Sequence, residues 1–106
     1  MINKRVVITG GNSRFAKELR NSFFGKNIIY TSRKQLDILD SKSIENCLKK
    51  YKPNYLIHLA SLSRPMIIHE KNIKLSIDTN IIGTANIVKK CSDKNIKLIY
   101  FSTNYV

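Results

Sequence analysis

The stretch from Arg5 to Leu19, RVVITGGNSRFAKEL, constrains the fold of this chain more than any other. Its β-branched residues at 6–9 predict a short strand, Gly10 and Gly11 predict a turn, and a helix is expected to begin near Ser13. A strand that runs through a glycine turn into a helix N-terminus is the start of a βαβ unit. The N–H groups at such a helix start attract a pyrophosphate, and glycine lets the backbone approach it closely.

The glycine spacing departs from the full dinucleotide-binding pattern. Where G-x-x-G-x-x-G or G-x-G-x-x-G has three glycines, this chain has Gly10, Gly11, Ser13 and Ala16. On its own the turn is equally compatible with an ordinary strand-to-helix connection. Ala16 adds little volume, whereas the Ser13 side chain would lie where phosphates approach and could donate a hydroxyl hydrogen bond. We therefore expect cofactor binding to be retained but weakened.

Length and cysteine content exclude several classes of protein. The chain has 106 residues, which make one domain at most. No apolar run approaches the roughly 20 residues of a membrane span, and no signal-peptide core is present, so a cytoplasmic location without a membrane is expected. Cys47 and Cys91 lie far apart in helical patterns, which predicts two reduced thiols with neither a disulfide nor a metal site.

The formal net charge of +12 raises nucleic-acid binding as an alternative, because lysines that neutralise phosphates release counterions. The basic residues are spread thinly, and the nearest thing to a cluster is Lys49, Lys50 and Lys52. No dense block of positive charge appears, and the chain has no run of basic residues interleaved with aromatics that would form a stacking platform for bases. The pattern favours solvated lysine faces over a nucleic-acid surface.

Strand and helix patterns alternate along the chain. Strands are predicted at 6–9, 27–31, 55–60 and 96–101, and helices at 13–24, 41–51 and 73–91. The alternation predicts an α/β fold, a Rossmann-like doubly wound parallel sheet with four strands in the order 3-2-1-4 and the second half of the fold missing. The ligand crevice is then expected between strands one and four.

The apolar faces of the helices follow from the same periodicity. The first is expected to bury Phe15, Leu19, Phe23 and Phe24, and the long third helix Ile73, Ile77, Ile81, Thr84, Val88 and Cys91. His58, inside the third strand, is interpreted as a core histidine or a strand-end hydrogen-bonding residue rather than a catalyst.

Five segments, in order and spacing, resemble the extended short-chain dehydrogenase/reductases, the NAD-dependent epimerase/dehydratase family. They are VITGGNSRFA, LDILD, YLIHLAS, NIIGTAN and IYFSTNYV, and together they span nearly the whole chain. LDILD and FSTNYV are most similar to the nucleotide-sugar branch that includes the dTDP-4-dehydrorhamnose reductases. The resemblance implies the NAD(P)-binding portion of an oxidoreductase or epimerase that acts on a nucleotide-activated sugar, by reduction, epimerisation or dehydration.

The resemblance also implies site residues. For the cofactor they are Gly10, Ser13, Arg14, Phe15 and Ala16 at the pyrophosphate, Asp37 and Ile38 at the adenine, Leu59, Ala60 and Ser61 along the third strand, and Asn80 on the long helix. Thr103 matches the active-site Ser or Thr that hydrogen-bonds the reacting oxygen of the substrate. Asn104 stands where these reductases commonly carry Asp. Each residue alone has an ordinary structural explanation, and the set taken in order favours the functional one.

Cofactor choice is read from the loop after the second strand, Ser32-Arg33-Lys34. An acidic residue there would accept hydrogen bonds from the ribose of NAD. A guanidinium beside a hydroxyl instead suits a 2′-phosphate, so Arg33 predicts NADP, with NAD as the alternative. A solvated basic loop is the remaining explanation.

The family's acid/base pair, Y-x-x-x-K, is missing from its expected place. Tyr30 and Lys34 have the spacing but end the second strand, on the adenosine side, so we interpret them as a coincidence. We therefore expect residues 1–106 to be an N-terminal NAD(P)-binding domain cut before the Y-x-x-x-K and substrate-binding part, and inactive alone. A homodimer is left open. The alternative function is a non-catalytic NAD(P)-binding sensor or interaction module.

Overall fold

Seven elements alternate between strand and helix in the part of the chain that the structure, a computed structural model, describes: residues 4–11, 13–61 and 70–103, with side chains for 4–11, 13–59 and 81–100. They are β1 (Val6–Ile8), α1 (Arg14–Leu19), β2 (Ile28–Tyr30), α2 (Ser41–Tyr51), β3 (Tyr55–Ser61), α3 (Glu70–Lys94) and β4 (Lys97–Thr103). The predicted alternation is therefore confirmed.

The strands form one parallel sheet in the order β2-β1-β3-β4. The predicted Rossmann-like parallel sheet is confirmed, but the predicted order 3-2-1-4 is wrong. β3 lies between β1 and β4 because it is apolar on both faces, with Leu56, Ile57 and Leu59 all buried. β2 has three half-buried residues and occupies an edge. The strand order reverses between β1 and β3, and not between strands one and four.

The sheet is covered on both faces. Alternate residues of a strand point to opposite sides, so Val7 and Leu56 join a core that also contains buried side chains of α2 and α3. Ile8 and Ile57 pack on the other side with Ala16 of α1. Each buried aliphatic side chain contributes roughly 1.5–3 kcal/mol relative to exposure. Helices on both faces make the sheet doubly wound, as predicted.

The first helix is shorter than predicted. α1 ends at Leu19, and Arg20 is its C-cap. Phe24 is 69% exposed and Phe15 40% exposed, so neither belongs to the core face predicted for them. A helix of this length buries a narrow face, and the small Ala16 fills it against Ile8.

The buried face of α3 is also rotated from the predicted one. Ile81 and Val88, which were predicted to be buried, are 63% and 47% exposed, whereas Cys91 is buried as predicted and Ile87 is buried as well. Gly83 is buried as well, so the buried residues of this stretch recur at steps of four from a glycine. The side chains of Ile73 and Ile77, also predicted to be buried, lie outside the described part. The predicted stripe was displaced towards Ile81 and Val88 because a glycine, unlike these residues, carries no hydrophobic signal.

An ion-pair cluster joins α2 to α3 and predicts a pH effect. Glu45 accepts hydrogen bonds from Lys94 (2.8 Å) and Lys90 (3.0 Å), which lower the pKa of its carboxyl from 4.5 to about 2. Because the folded pKa lies below the unfolded one, this stabilisation is complete above about pH 4.5 and is lost as the pH falls towards 2. We expect the Tm of Glu45→Gln to fall less steeply than that of the wild type across this window, measured by circular dichroism at low salt.

Lys49 supplies the control for this experiment. Its ammonium lies 3.9 Å from Glu45 on a side chain that is 68% exposed, so Lys49→Gln should keep the wild-type slope. Equal slopes in the wild type and Glu45→Gln would contradict the assignment.

Candidate functional site

A cavity of about 240 Å³ lies where the strand order reverses, beyond the carboxyl ends of β1 and β3. Its lining residues are Gly10, Arg33, Leu36, Asp37, Ile38, Leu39 and Leu59. A second, more open depression adjoins it, lined by Ser32, Arg33, Lys34, Asp37, Asp40 and Ser43. In doubly wound sheets, ligands bind outside the carboxyl ends of the strands at this reversal. The cavity is therefore the candidate site.

The two glycines of the turn after β1 serve different purposes. Gly10 has a φ of +67°, a conformation that side chains disfavour. Gly11 lies against the end of β2: its N–H donates to the Thr31 carbonyl (2.8 Å), and a Cβ at Gly11 would lie 2.8 Å from that same oxygen. The sequence did not single out Gly11 as a site residue. Its role is to let the turn touch the second strand.

Ser13, which stands in place of a glycine, caps α1. Its Oγ accepts a hydrogen bond from the Ala16 N–H (3.1 Å), and its own backbone is extended, as an N-cap requires. In this bond the oxygen is the acceptor, so the hydroxyl hydrogen can donate to a ligand oxygen. Arg14 and Phe15 are exposed in the first turn of the helix, whereas Ala16 is buried.

The turn that carries Arg33 is closed by Gln35. The Ser32 carbonyl accepts hydrogen bonds from Gln35 N (3.0 Å) and Leu36 N (2.9 Å), and the Ser32 N–H donates to Gln35 Oε1 (2.8 Å). Arg33 and Lys34 are exposed at the tip of this turn. The turn therefore presents two cations beside the cavity. The sequence did not identify Gln35 because its side chain acts by bonding the backbone N–H of Ser32.

The segment 36–40 forms another wall of the cavity, and contacts with α2 and α3 hold it in place. Asp37 Oδ1 accepts the Leu39 N–H (3.0 Å), and the Asp37 N–H donates to Ser43 Oγ of α2 (3.0 Å). From α3, Asn86 Nδ2 donates to the Ile38 carbonyl (2.9 Å). One carboxylate oxygen of Asp37 is therefore bonded within its own turn.

His58 is the centre of a buried hydrogen-bond network. Its Nδ1 lies 2.8 Å from Thr9 Oγ1 and its Nε2 lies 3.0 Å from Thr84 Oγ1, while the Leu59 N–H donates to Thr9 Oγ1 (3.1 Å). The side chain is 1% exposed, and burial lowers the pKa of His58 to about 4. The interpretation as a core histidine is confirmed. The partners, Thr9 and Thr84, could not be found from spacing alone.

Tyr30 has a structural role. Its hydroxyl donates to the Phe23 carbonyl (2.6 Å), and the Arg20 guanidinium lies 4.5 Å from the centre of its ring. Burial raises the pKa of Tyr30, the reverse of what an acid/base tyrosine needs. These contacts agree with the interpretation that its spacing to Lys34 is a coincidence.

The remaining predicted site residues have described backbones only. Ala60 and Ser61 lie in β3, Asn80 in α3 and Thr103 in β4, and their side chains lie outside the described part, as does all of Asn104. The β3–β4 register pairs Ser61 with Thr103 at the carboxyl ends of both strands. The structure thus brings Gly10, Arg33, Asp37, Ile38 and Leu59 around one cavity, with Ser13, Arg14, Phe15 and Ala16 following the glycine turn.

A family described as the RmlD substrate binding domain matches residues 4–106. The chain belongs to this family. The membership confirms the predicted relation to extended short-chain dehydrogenase/reductases that act on nucleotide sugars.

Individual relatives agree with the family. The GDP-6-deoxy-D-talose 4-dehydrogenase of Aggregatibacter actinomycetemcomitans is 27% identical, over 93% of this chain and 35% of its own length. The methionine adenosyltransferase 2 subunit beta of Xenopus laevis is 26% identical, over 98% of this chain and 34% of its own. The dTDP-4-dehydrorhamnose reductase from Bacillus anthracis, whose crystal structure is a complex with NADP, is 29% identical in sequence to this chain. The two structures match with a TM-score of 0.82, over 100% of this chain and 38% of that one. The chain spans about a third of the length of these relatives.

Two further findings concern the described residues alone. Among them, none of the helices combines the length and the apolar character needed to cross a membrane. Nor do three or more His, Cys, Asp or Glu side chains in that part of the chain come together in a way that could hold a metal ion.

Proposed function

We propose that this chain is the NADP-binding portion of an oxidoreductase or epimerase that acts on a nucleotide-activated sugar. The observation that carries the proposal is the cavity at the reversal of strand order, with Gly10 on one side and the segment 36–39 on the other. Family membership supports the same conclusion. The cytoplasmic location, the homodimer and the domain boundary stay predictions.

The residues around the cavity fit the parts of a dinucleotide. Leu36, Ile38 and Leu39 offer an apolar wall for adenine. The turn at Gly10 and the adjacent Arg14 suit the pyrophosphate, through close backbone approach and positive charge. Ser13 and Phe15 would line that turn, and Ala16, which is fully buried against Ile8, would let α1 pack closely on β1 behind it. Leu59, Ala60, Ser61 and Asn80 would hold the nicotinamide half.

The cofactor, when bound, supplies or accepts the hydride. The contribution of this chain to the chemistry would be Thr103, whose hydroxyl would donate a hydrogen bond to the reacting oxygen of the sugar. The pairing of Thr103 with Ser61 at the carboxyl end of the sheet supports that position. The substrate, and the choice between reduction, epimerisation and dehydration, belong to the whole protein and are part of the proposal.

Arg33 and Lys34 favour NADP over NAD. A 2′-phosphate is an anion, and a guanidinium binds it through charge-assisted hydrogen bonds. The nearby carboxylates of Asp37 and Asp40 each bond backbone N–H groups through Oδ1, so part of their hydrogen-bonding capacity is already used. The two side chains at the tip of the turn itself, Arg33 and Lys34, are exposed and both are cations.

Titration of the purified chain with NADPH and with NADH tests this proposal. We expect NADPH to bind more tightly, and Arg33→Ala to lose about tenfold or more in NADPH affinity with little change for NADH. Lys26→Ala removes an exposed cation at a residue outside the cavity lining and should leave both affinities unchanged. An unchanged NADPH preference in Arg33→Ala would refute the role of Arg33. If neither NADPH nor NADH binds, the proposed function is refuted.

A second candidate is a non-catalytic NADP-binding or interaction module. It is favoured by the likeness to a protein named as the beta subunit of a methionine adenosyltransferase. Both candidates predict NADPH binding, and residues 1–106 are expected to be inactive alone, so hydride transfer is measured on the whole protein of which this chain is the proposed NADP-binding portion. Loss of NADPH absorbance on adding dTDP- or UDP-keto-sugars would support the enzyme, and stable absorbance alongside tight NADPH binding would support the module.

A further inference from the structure

We infer that Gly83 and Asn86 of α3 position the adenine-side wall of the cavity, so that α3 sets the distance between that wall and the glycine turn. The inference rests on the proposed function. Neither residue lines the cavity, so each would act through Ile38, which does.

The first contact is between Asn86 and the backbone of the wall. Asn86 Nδ2 donates to the Ile38 carbonyl across 2.9 Å in a partly buried environment. A carbonyl oxygen accepts hydrogen bonds and cannot donate them, which fixes the amide orientation of Asn86. The segment 36–40 belongs to no strand of the sheet, so this bond supplies an anchor that a sheet ladder would otherwise give.

The second contact is between Gly83 and the side chain of the wall. Gly83 lies three residues before Asn86, on the same helix face. A Cβ at Gly83 would overlap Ile38 Cδ1, and would lie 2.5 Å from Cγ1 and 3.1 Å from Cβ of the same residue. Because isoleucine is branched at Cβ and stiff, it could make room only if the segment moved. The helix therefore touches both the backbone and the side chain of Ile38.

The same stretch of α3 also holds the facing wall. Thr84 lies 3.0 Å from His58 Nε2, and His58 Nδ1 lies 2.8 Å from Thr9, the residue before Gly10. Thr9 in turn accepts the N–H of Leu59, which lines the cavity. Residues 83, 84 and 86 thus bind both walls, one through Ile38 and the other through His58. The spacing of the two walls is set by one rigid element.

Binding of adenosine 2′,5′-bisphosphate tests the inference, because this probe carries the adenine and the 2′-phosphate without the nicotinamide. Asn86→Leu keeps the side-chain size and removes the donor, and we expect a loss of about 5- to 10-fold in affinity. Gly83→Ala should lose affinity too, through displacement of Ile38. Asn86→Gln, which keeps an amide donor, should recover part of the loss.

Cys91→Ala separates positioning from general destabilisation. Cys91 is buried on the same helix two turns beyond Gly83, so its truncation should lower the urea midpoint while leaving the affinity at the wild-type value. If Cys91→Ala loses as much affinity for the probe as Asn86→Leu at matched stability, the inference is overturned.

The remaining outcomes separate this inference from the proposed function. If Asn86→Leu binds the probe as tightly as the wild type does, the positioning role is overturned and the proposed function stays intact. Failure of the wild type to bind the probe would overturn both. Faster amide exchange at Leu39 in Asn86→Leu, with the rate at Gly11 unchanged, would support the positioning role directly.

Discussion

Lowering the pH from 6.5 to 4 is expected to remove about 3 kcal/mol of folding stability through one side chain, His58. The imidazole is 1% exposed, and burial lowers its pKa from 6.5 to about 4. Between these two values the unfolded chain binds a proton that the folded chain excludes. Stability is therefore complete above pH 6.5 and falls as the pH approaches 4.

Urea unfolding at a series of pH values measures this loss. His58→Gln keeps an amide that can bond Thr9 and Thr84 but does not titrate, so its free energy of unfolding should change much less between pH 6.5 and 4. The chain has two histidines, and a His69→Gln variant measures what the other one adds. A pH dependence in His58→Gln as steep as in the wild type would show that His58 is not the titrating group.

Gly11→Ala is expected to cost about 2–3 kcal/mol of stability, close to the upper end of overpacking effects. The added Cβ would lie 2.8 Å from the Thr31 oxygen and 3.1 Å from the Thr31 nitrogen, both backbone atoms. Thr31 cannot easily retreat, because it is fully buried and bonds the Ile8 carbonyl through both its N–H and its hydroxyl, each at 2.9 Å. The substitution would separate the glycine turn from the end of β2.

The free energy of unfolding in urea measures this effect, and Gly25→Ala provides the comparison. Gly25 has a φ of +150° and no atom within 4 Å of an added Cβ, so its substitution reports backbone strain without a clash. We expect the Gly11 variant to lose clearly more stability and also to bind NADPH more weakly. A Gly11→Ala protein as stable as Gly25→Ala would mean that the end of β2 can move at little cost.

The strand order shows what local patterns leave undetermined. Periodicity identified every strand, because alternation and apolar runs are local properties. Pairing depends on which strand is long and apolar on both faces, and that property belongs to β3, while the three residues of β2 suit an edge. The apolar run at 55–60 already contained this information, since a strand buried on both faces belongs at the centre of a sheet.

The cavity shows a similar division. Gly10, Asp37, Ile38 and Leu59 could be named from the sequence because their motifs occur in a fixed order along the chain. Arg33 could be named from its charge in the loop after the second strand. The hydrogen bonds that hold them could not, since Thr9 and His58 are 49 residues apart and Asn86 and Ile38 are 48 apart. A glycine at position 83 was visible, but its reason, the contact with Ile38, exists only in the folded state.

The central position of β3 has a consequence for the order of assembly. β1 pairs through three residues with β2, the next strand along the chain. Its other partner is β3, which begins only at Tyr55. A two-stranded sheet this short is not stable in water, so β1 has no durable partner until the chain has passed through α2. Closing the long connection between β1 and β3 lowers the conformational entropy of the chain before the strand pairing contributes any stabilisation, and this slows folding. The glycine turn after β1, although encoded near the start of the chain, is completed only once residues from the middle of the chain have reached the sheet.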